Sequence, residues 1–324
     1  MSKASMTRIG LISNVCSERN KRGTEALDRT VAALPGIRHE KICDVDGLGD
    51  ILASFAAEKV RAIAVNSGDG TIHAVLTELL EKRPFPEPPP VCVVMGGMAN
   101  MTGADVAPRG KACAVLRRLS ALIHADAIGS HLIHRHILRL ENIVGQPPQR
   151  AMFFGAAGIV EAIRLCKTEM HARGLSATWA NWATLLKMLG GWVVPGKSGR
   201  RDIGAEMAVA LDNGPAVDGR RLLVLATTLD RLILGSRPFW NTASGPVRWT
   251  EIADPPRRLL ANAPGVLYGR SNRTVKDESY ASHGVRRVSL AMDGPFTLDG
   301  QFFTAERRNP LVITADDRIA FVKF

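Results

Sequence analysis

The sequence predicts an α/β protein of two domains: a Rossmann-like layer over residues 1–125, rejoined by residues 311–324, and a β-rich domain over residues 126–310. Three observations carry this. Short apolar runs alternate with helix-period segments from Arg8 to about Ile123, as in βαβ units. Two of those apolar runs end in glycine-rich loops. After Ala125 the texture changes to Val/Leu/Ile-rich runs separated by Gly and Pro turn signals.

In the first domain the pattern predicts strands at Arg8–Ser13, Arg38–Cys43, Ala62–Asn66 and Val91–Met95, and helices at Thr24–Leu34, Leu48–Lys59, Thr71–Glu81 and Lys111–Ile123. Pro84–Pro90 carries too many prolines for helix or sheet and reads as a stiff connection. In the second domain the runs Leu132–Leu140, Ala205–Leu211, Leu222–Thr227, Val285–Met292 and Phe296–Leu298 read as strands. Asp212-Asn213-Gly214 and Asp218-Gly219 read as hairpin turns, and Gly158–Leu189 as helical.

The net charge of +11 draws the surface toward anions without choosing among them. Aromatic residues are only 5% and do not interleave with the paired arginines, so the stacking platforms of a single-strand binder are missing and nucleic acid is not expected as a partner. Cys16, Cys43, Cys92, Cys113 and Cys166 are widely spaced and read as reduced residues of a cytosolic protein. His124, His131, His134 and His136 lack carboxylate or thiol partners nearby and read as structural or surface residues rather than metal-binding. No apolar run is long enough for a signal peptide or a membrane span, which makes a cytoplasmic protein the expectation.

The chemistry is expected at Ala62-Ile63-Ala64-Val65-Asn66-Ser67-Gly68-Asp69-Gly70-Thr71, a strand that runs through two glycines into a helix. Phosphates bind where a strand ends, where side chains do not block the backbone and where helix N-terminal N–H groups point outward. Thr71 suits the helix start. Asp69 would repel a bare phosphate, so Mg2+, a ribose hydroxyl or a positioning hydrogen bond must give it a purpose. Val91–Met95 ends in a second such loop, Gly96-Gly97-Met98-Ala99-Asn100, and open α/β sheets bind ligands at this edge. Gly191–Ser198 fits the pattern GxxxxGK[ST] but lacks the preceding strand and following helix that would make it a phosphate loop.

Ser67 to Thr71, the helix start Ile72-His73-Ala74-Val75-Leu76 and Gly97 to Asn100 together resemble the two nucleotide motifs of the diacylglycerol kinase catalytic family, with the opening most similar to its sphingosine kinase branch. Asn14 at the end of the first strand and Leu298-Asp299-Gly300 fit the same pattern. The resemblance implies a C-terminal antiparallel β-sandwich, as in the NAD kinase and diacylglycerol kinase-like fold, and a kinase that moves the γ-phosphate of Mg-ATP to a lipid hydroxyl on a diacylglycerol, sphingoid base or ceramide-like acceptor. It implies that Asn14, Ser67, Gly68, Asp69, Gly70, Thr71, Gly97, Met98 and Asn100 hold the nucleotide, that Asp69 orders ATP and its Mg2+, and that Asp299 is the general base. Glu161 stands near the position where relatives have an acidic residue facing the lipid headgroup, although by itself it reads as helix-surface charge.

The chain departs from the family pattern at Val15, Ser67, Met98, Met101 and Gln301; Met98 lacks a hydroxyl for phosphate and Gln301 a charge beside the base. Ala243-Ser244-Gly245 stands where bacterial members carry an Asp-Gly tied to a structural metal. Trp179, Trp182 and Trp192 lie at helical spacing in a segment poor in charge, suited either to core packing or to peripheral contact at the inner membrane surface. Two other functions fit the pattern less fully: a non-catalytic nucleotide or lipid binder on the same fold, and a soluble-substrate enzyme of the NAD kinase type.

Overall fold

The computed structural model describes residues 8–17, 20–95, 101–173, 203–232, 235–241, 244–269 and 277–324. The chain divides into two compact units, residues 1–137 with 317–324, and residues 138–316. The boundary thus falls at Ile137/Leu138 instead of 125/126, and the return begins at Asp317 instead of Leu311.

The first unit is built on a six-stranded sheet in the order β2-β1-β3-β4-β17-β5. Its strands are β1 (Ile9–Asn14), β2 (Ile37–Ile42), β3 (Ala62–Ser67), β4 (Val91–Met95), β5 (Leu132–His136) and β17 (Arg318–Val322). β1 to β4 pair in parallel, β17 joins β4 in parallel, and β5 closes the edge antiparallel to β17. β1 and β3 read as near-continuous apolar runs because both faces are covered.

One face buries Ile9, Leu11, Ala62, Ala64, Cys92 and Val94 against Leu27 of α1 (Glu25–Ala32) and Val115, Leu116 and Leu119 of α5 (Ala112–His124). On the other face α2 (Leu48–Ala57) approaches so closely that a Cβ on Gly10 would lie 2.3 Å from the Phe55 ring. A glycine at position 10 is what lets that helix settle on β1. α3 (Asp69–Thr77) continues as a π-helical turn over Glu78–Lys82 and stops at Arg83, whose φ of 50° ends the helix before the proline-rich connection. The sequence pattern missed α4 (Met101–Val106), which is too short to show a period.

The second unit is one branched antiparallel sheet of eleven strands. It comprises β6 (Leu138–Glu141), β7 (Gln149–Ala151), β8 (Phe153–Ala157), β9 (Ala205–Leu211), β10 (Val217–Thr227), β11 (Val247–Ala253), β12 (Tyr280–Val285), β13 (Arg287–Met292), β14 (Gly294–Leu298), β15 (Gln301–Ala305) and β16 (Leu311–Thr314). The branch is at β10, whose first half pairs with β9 and whose second half pairs with both β8 and β11. Alternate residues from every one of these strands, among them Phe154, Met207, Val224, Trp249, Leu290, Phe296 and Ile313, meet in a single core. A sheet that contributes one face throughout to one cluster is folded over it, the physical content of a sandwich. α6 (Gly158–Arg173) and α7 (Leu259–Tyr268) complete the unit.

Three expectations change here. Leu132–Leu140 is two strands in two sheets, parted at buried Ile137, because β5 continues the first sheet while β6 pairs with β16. β16 likewise belongs to the second unit, so only β17 returns to the first. Asp218-Gly219 is not a turn: both residues lie in ladder register with Ala208 and Met207. Arg221 of that strand is buried, and its guanidinium donates to the carbonyls of Met207, Val217 and Gly219 and pairs with Glu251 at 3.0 Å.

Candidate nucleotide-binding site

β3 and β4 are paired neighbours, so the loops after them leave the same edge of the first sheet. Gly68, extended at φ −88° and ψ 178°, caps α3 without a side-chain cap bond, and Asp69, Gly70 and Thr71 form the first helical turn. Thr71 is therefore a first-turn residue rather than the cap. Its Oγ1 accepts from Ser67 Oγ at 2.7 Å and from Asn14 Nδ2 at 3.1 Å. The ends of β1 and β3 and the start of α3 are thus joined through one hydroxyl.

Asp69 answers the question its position raises. Its Oδ2 accepts the N–H of Met101 at 2.8 Å and its Oδ1 the N–H of Thr102 at 3.1 Å. These are the first two residues of α4, so the carboxylate acts as a cap supplied from another helix and ties the start of α4 to the start of α3. Its charge is directed at amide hydrogens. Residues 96–100, which include Gly97, Met98 and Asn100, lie outside the described residues.

A polar network behind this edge was not anticipated. Asn20 Nδ2 donates to the carbonyls of Asn14 at 2.8 Å and Asn66 at 3.0 Å, and Ser13 Oγ accepts from Asn66 Nδ2 at 3.3 Å. His39 Nε2 lies 2.8 Å from Ser13 Oγ, and its Nδ1 lies 3.6 Å from Asp28. Burial holds the His39 imidazole below its ordinary value, with Asp28 pulling the other way. Burial acts to raise the Asp28 carboxyl, but hydrogen bonds from Lys41 and Thr24 and the Lys41 charge leave it below the usual range. Polar Ser13 and Asn66 in otherwise apolar strands were the legible signal; nothing local marked Asn20 or His39. Farther along, Asp105 at the end of α4 is 3% exposed and paired with Arg135 of β5 at 2.9 Å, which anchors α4 to the sheet.

The structure also overturns the reduced state expected of two cysteines. Cys16 and Cys43 form a disulfide with a Cα–Cα distance of 5.0 Å. β1 and β2 pair in parallel with Asn14 opposite Ile42, so residues just beyond each strand end come together across a sequence separation of 27. Cys92 remains a free thiol in β4, where burial pushes it up to about 12, and Cys113 is free as well.

In the second unit Asp299 and Gly300 form the two-residue turn between β14 and β15, with φ of 46° and 85°. Two positive φ values suit a tight hairpin, where Gly costs nothing and Asp is tolerated. The Asp299 carboxylate is 5% exposed and accepts the N–H of Phe153 at 2.9 Å and that of Met152 at 3.1 Å. The β14–β15 turn is thereby clipped to the start of β8. Glu161, in the first turn of α6, pairs with Arg164 at 2.8 Å as an ordinary helix-surface charge. Trp179, Trp182, Trp192, Gly191–Ser198 and Ala243 lie outside the described residues. Among the described residues no cluster of His, Cys, Asp and Glu suits a metal ion, and no helix is long and apolar enough to cross a membrane.

Residues 19–128 match the family model of the diacylglycerol kinase catalytic domain. The match contains Ser67 to Thr71 and Gly97 to Asn100, while Asn14, Glu161 and Asp299 lie outside it. No curated protein sequence matches the chain. One solved structure, "A putative diacylglycerol kinase from Bacillus anthracis str. Sterne", superposes with a TM-score of 0.65 at 13% identity, covering 100% of this chain and 99% of its own. Another, described as a diacylglycerol kinase from the same organism, gives 0.59 at 11% identity, covering 99% of this chain and 98% of its own. At such identity the likeness is one of fold, and it extends over both units. Residues 19–128 thus carry the match to the diacylglycerol kinase catalytic domain, within a chain that has the fold of these structures.

Proposed function

We propose that this protein is an ATP-dependent lipid kinase that transfers the γ-phosphate of Mg-ATP to the hydroxyl of a diacylglycerol, sphingoid base or ceramide-like lipid. The observation that carries the reading is the Asp69 clasp. The glycine-flanked start of α3, at the end of β3, is tied to the start of α4, which follows β4 of the same sheet, by a carboxylate bonded to two amides. That bonding answers the objection that an acidic residue would repel phosphate.

The residues fit a nucleotide. Gly68 caps α3 and Gly70 lies in its first turn, so neither puts a bulky side chain there, and Asn14 and Ser67 hold Thr71 in place. Mg-ATP would supply the phosphoryl group, with the metal ion drawing charge from its oxygens. Asp69 acts here as a positioning residue for the second loop. Asp299, fixed in direction by the Met152 and Phe153 amides, is assigned to take the proton of the acceptor hydroxyl. The lipid would be reached from a membrane surface, with Trp179, Trp182 and Trp192 as the contacts at the inner face.

The test is transfer of radiolabelled phosphate from ATP to a total lipid extract, with the labelled species then identified. A labelled lipid is expected. Nucleotide binding without transfer would favour the non-catalytic binder, and label on NAD in a parallel reaction supplied with NAD the soluble-substrate enzyme. Gly70→Val should weaken Mg-ADP binding in calorimetric titration, and equal affinity of the two proteins would remove the nucleotide from this edge.

A further inference from the structure

We propose that Cys16 and Cys43 form a thiol-modification site whose redox state controls nucleotide binding at the adjacent sheet edge. The inference rests on the nucleotide reading of that edge and adds a regulatory input to it.

Both cysteines are exposed, so a reductant or oxidant in solution can reach them. Cys16 lies two residues beyond Asn14, and its own N–H donates to Asn14 Oδ1 at 2.9 Å. The same Asn14 side chain donates through Nδ2 to Thr71 Oγ1 in the first turn of α3. The turn is fastened further by Ser17 Oγ and Asn20 Nδ2, both donating to the Asn14 carbonyl, and by Val15 N–H donating to Ile42. The disulfide therefore pins to the end of β2 the turn that aims Asn14 at the phosphate-side helix. Three bonds in series, Sγ–Sγ, Cys16 N–H to Asn14 and Asn14 to Thr71, connect solvent redox chemistry to the site.

Opening follows ordinary thiol–disulfide exchange. A thiolate attacks one of the two sulfurs, the Sγ–Sγ bond breaks, and the departing cysteine leaves as thiolate and takes a proton. A second thiol displaces the first reductant from the mixed disulfide. Two reductant thiols become one disulfide and the protein gains two thiols; a disulfide oxidant such as oxidised glutathione runs the exchange in reverse. Exposed disulfides are more often the labile or regulatory kind than structural staples, which agrees with an exposed pair beside a ligand site.

Reduction releases the Cys16 turn from β2, so Asn14 spends less time in the geometry that holds Thr71. Losing roughly one hydrogen bond of preorganisation corresponds to about a 2- to 10-fold loss of affinity.

The experiment uses the full chain equilibrated across mixtures of reduced and oxidised glutathione. Mg-ADP affinity is read by calorimetry, and amide hydrogen exchange of residues 67–77 is read by mass spectrometry. The expected result is weaker binding and faster exchange in the reduced form, with unchanged exchange in β10. Cys16→Ser and Cys43→Ser should each bind like the reduced protein at every glutathione ratio. Equal affinity in the two forms, each binding nucleotide, overturns the switch and leaves the nucleotide site standing. A disulfide that stays closed across the glutathione range also overturns it. If neither form binds nucleotide, the nucleotide reading fails and the control proposed on it falls too; the exchange data then show only whether the turn and α3 are coupled.

Discussion

The Asp69 carboxylate accepts the backbone N–H of Met101 at 2.8 Å, 32 residues along the chain, and so makes the first glycine loop a cap for the helix that follows the second. Caps of this kind contribute roughly 0.5–2 kcal/mol, and a charged acceptor lies toward the upper end. Asp69→Ala should lower the melting temperature and weaken Mg-ADP binding together, because the starts of α3 and α4 come apart. Asp69→Asn, with one acceptor oxygen for two amides, should fall between. Unchanged nucleotide affinity in a folded Asp69→Ala protein would remove the clasp from the binding machinery.

Asp299 separates two roles that a single activity assay would merge. Its carboxylate clips the β14–β15 turn to Met152 and Phe153, so Asp299→Asn should cost about 1–3 kcal/mol of stability where the amide NH2 meets an N–H donor. If it is also the base, turnover should fall by roughly 10²–10⁴-fold while nucleotide affinity is kept. Stability by denaturant melt and transfer by label, on the same preparation, tell these apart. A destabilised variant that keeps its turnover would make Asp299 a turn residue alone.

His39 brings a pH dependence of known sign. Burial holds its folded value below the ordinary 6.5, so the unfolded chain binds the proton more readily. The contribution of His39 is then complete above about pH 6.5 and is lost as pH falls through the folded value. Melting temperature should drop on acidification below that point, and His39→Gln should flatten the drop. An unaltered profile in the variant would place the sensitive group elsewhere.

Gly10→Ala puts a Cβ 2.3 Å from the Phe55 ring, and the ring has no room to retreat because it is fully buried. Overpacking of this kind costs about 1–3 kcal/mol, read as a lower denaturant midpoint. Pairing it with Phe55→Leu should recover part of the loss; no recovery would mean that the clash is not with that ring.

The parallel half of the fold and the glycine turn at its centre were legible because their causes are local. Apolar runs at strand length, helix-period segments and Gly68 and Gly70 at a strand end depend on a few neighbouring residues. The same locality explains the hairpin at Asp212-Asn213-Gly214 and the turn at Asp299-Gly300. Strand pairing decided the rest. Ladder partners for Asp218 and Gly219 made strand of an expected turn, and the split at Ile137 sent two halves of one apolar run into different sheets. Asp69 found its purpose in amides 32 and 33 residues away, and Cys16 found Cys43 only through the register of β1 with β2. Side-chain type and spacing set which bonds a residue can make; which partner arrives to make them is set by the packing of segments far apart in the chain.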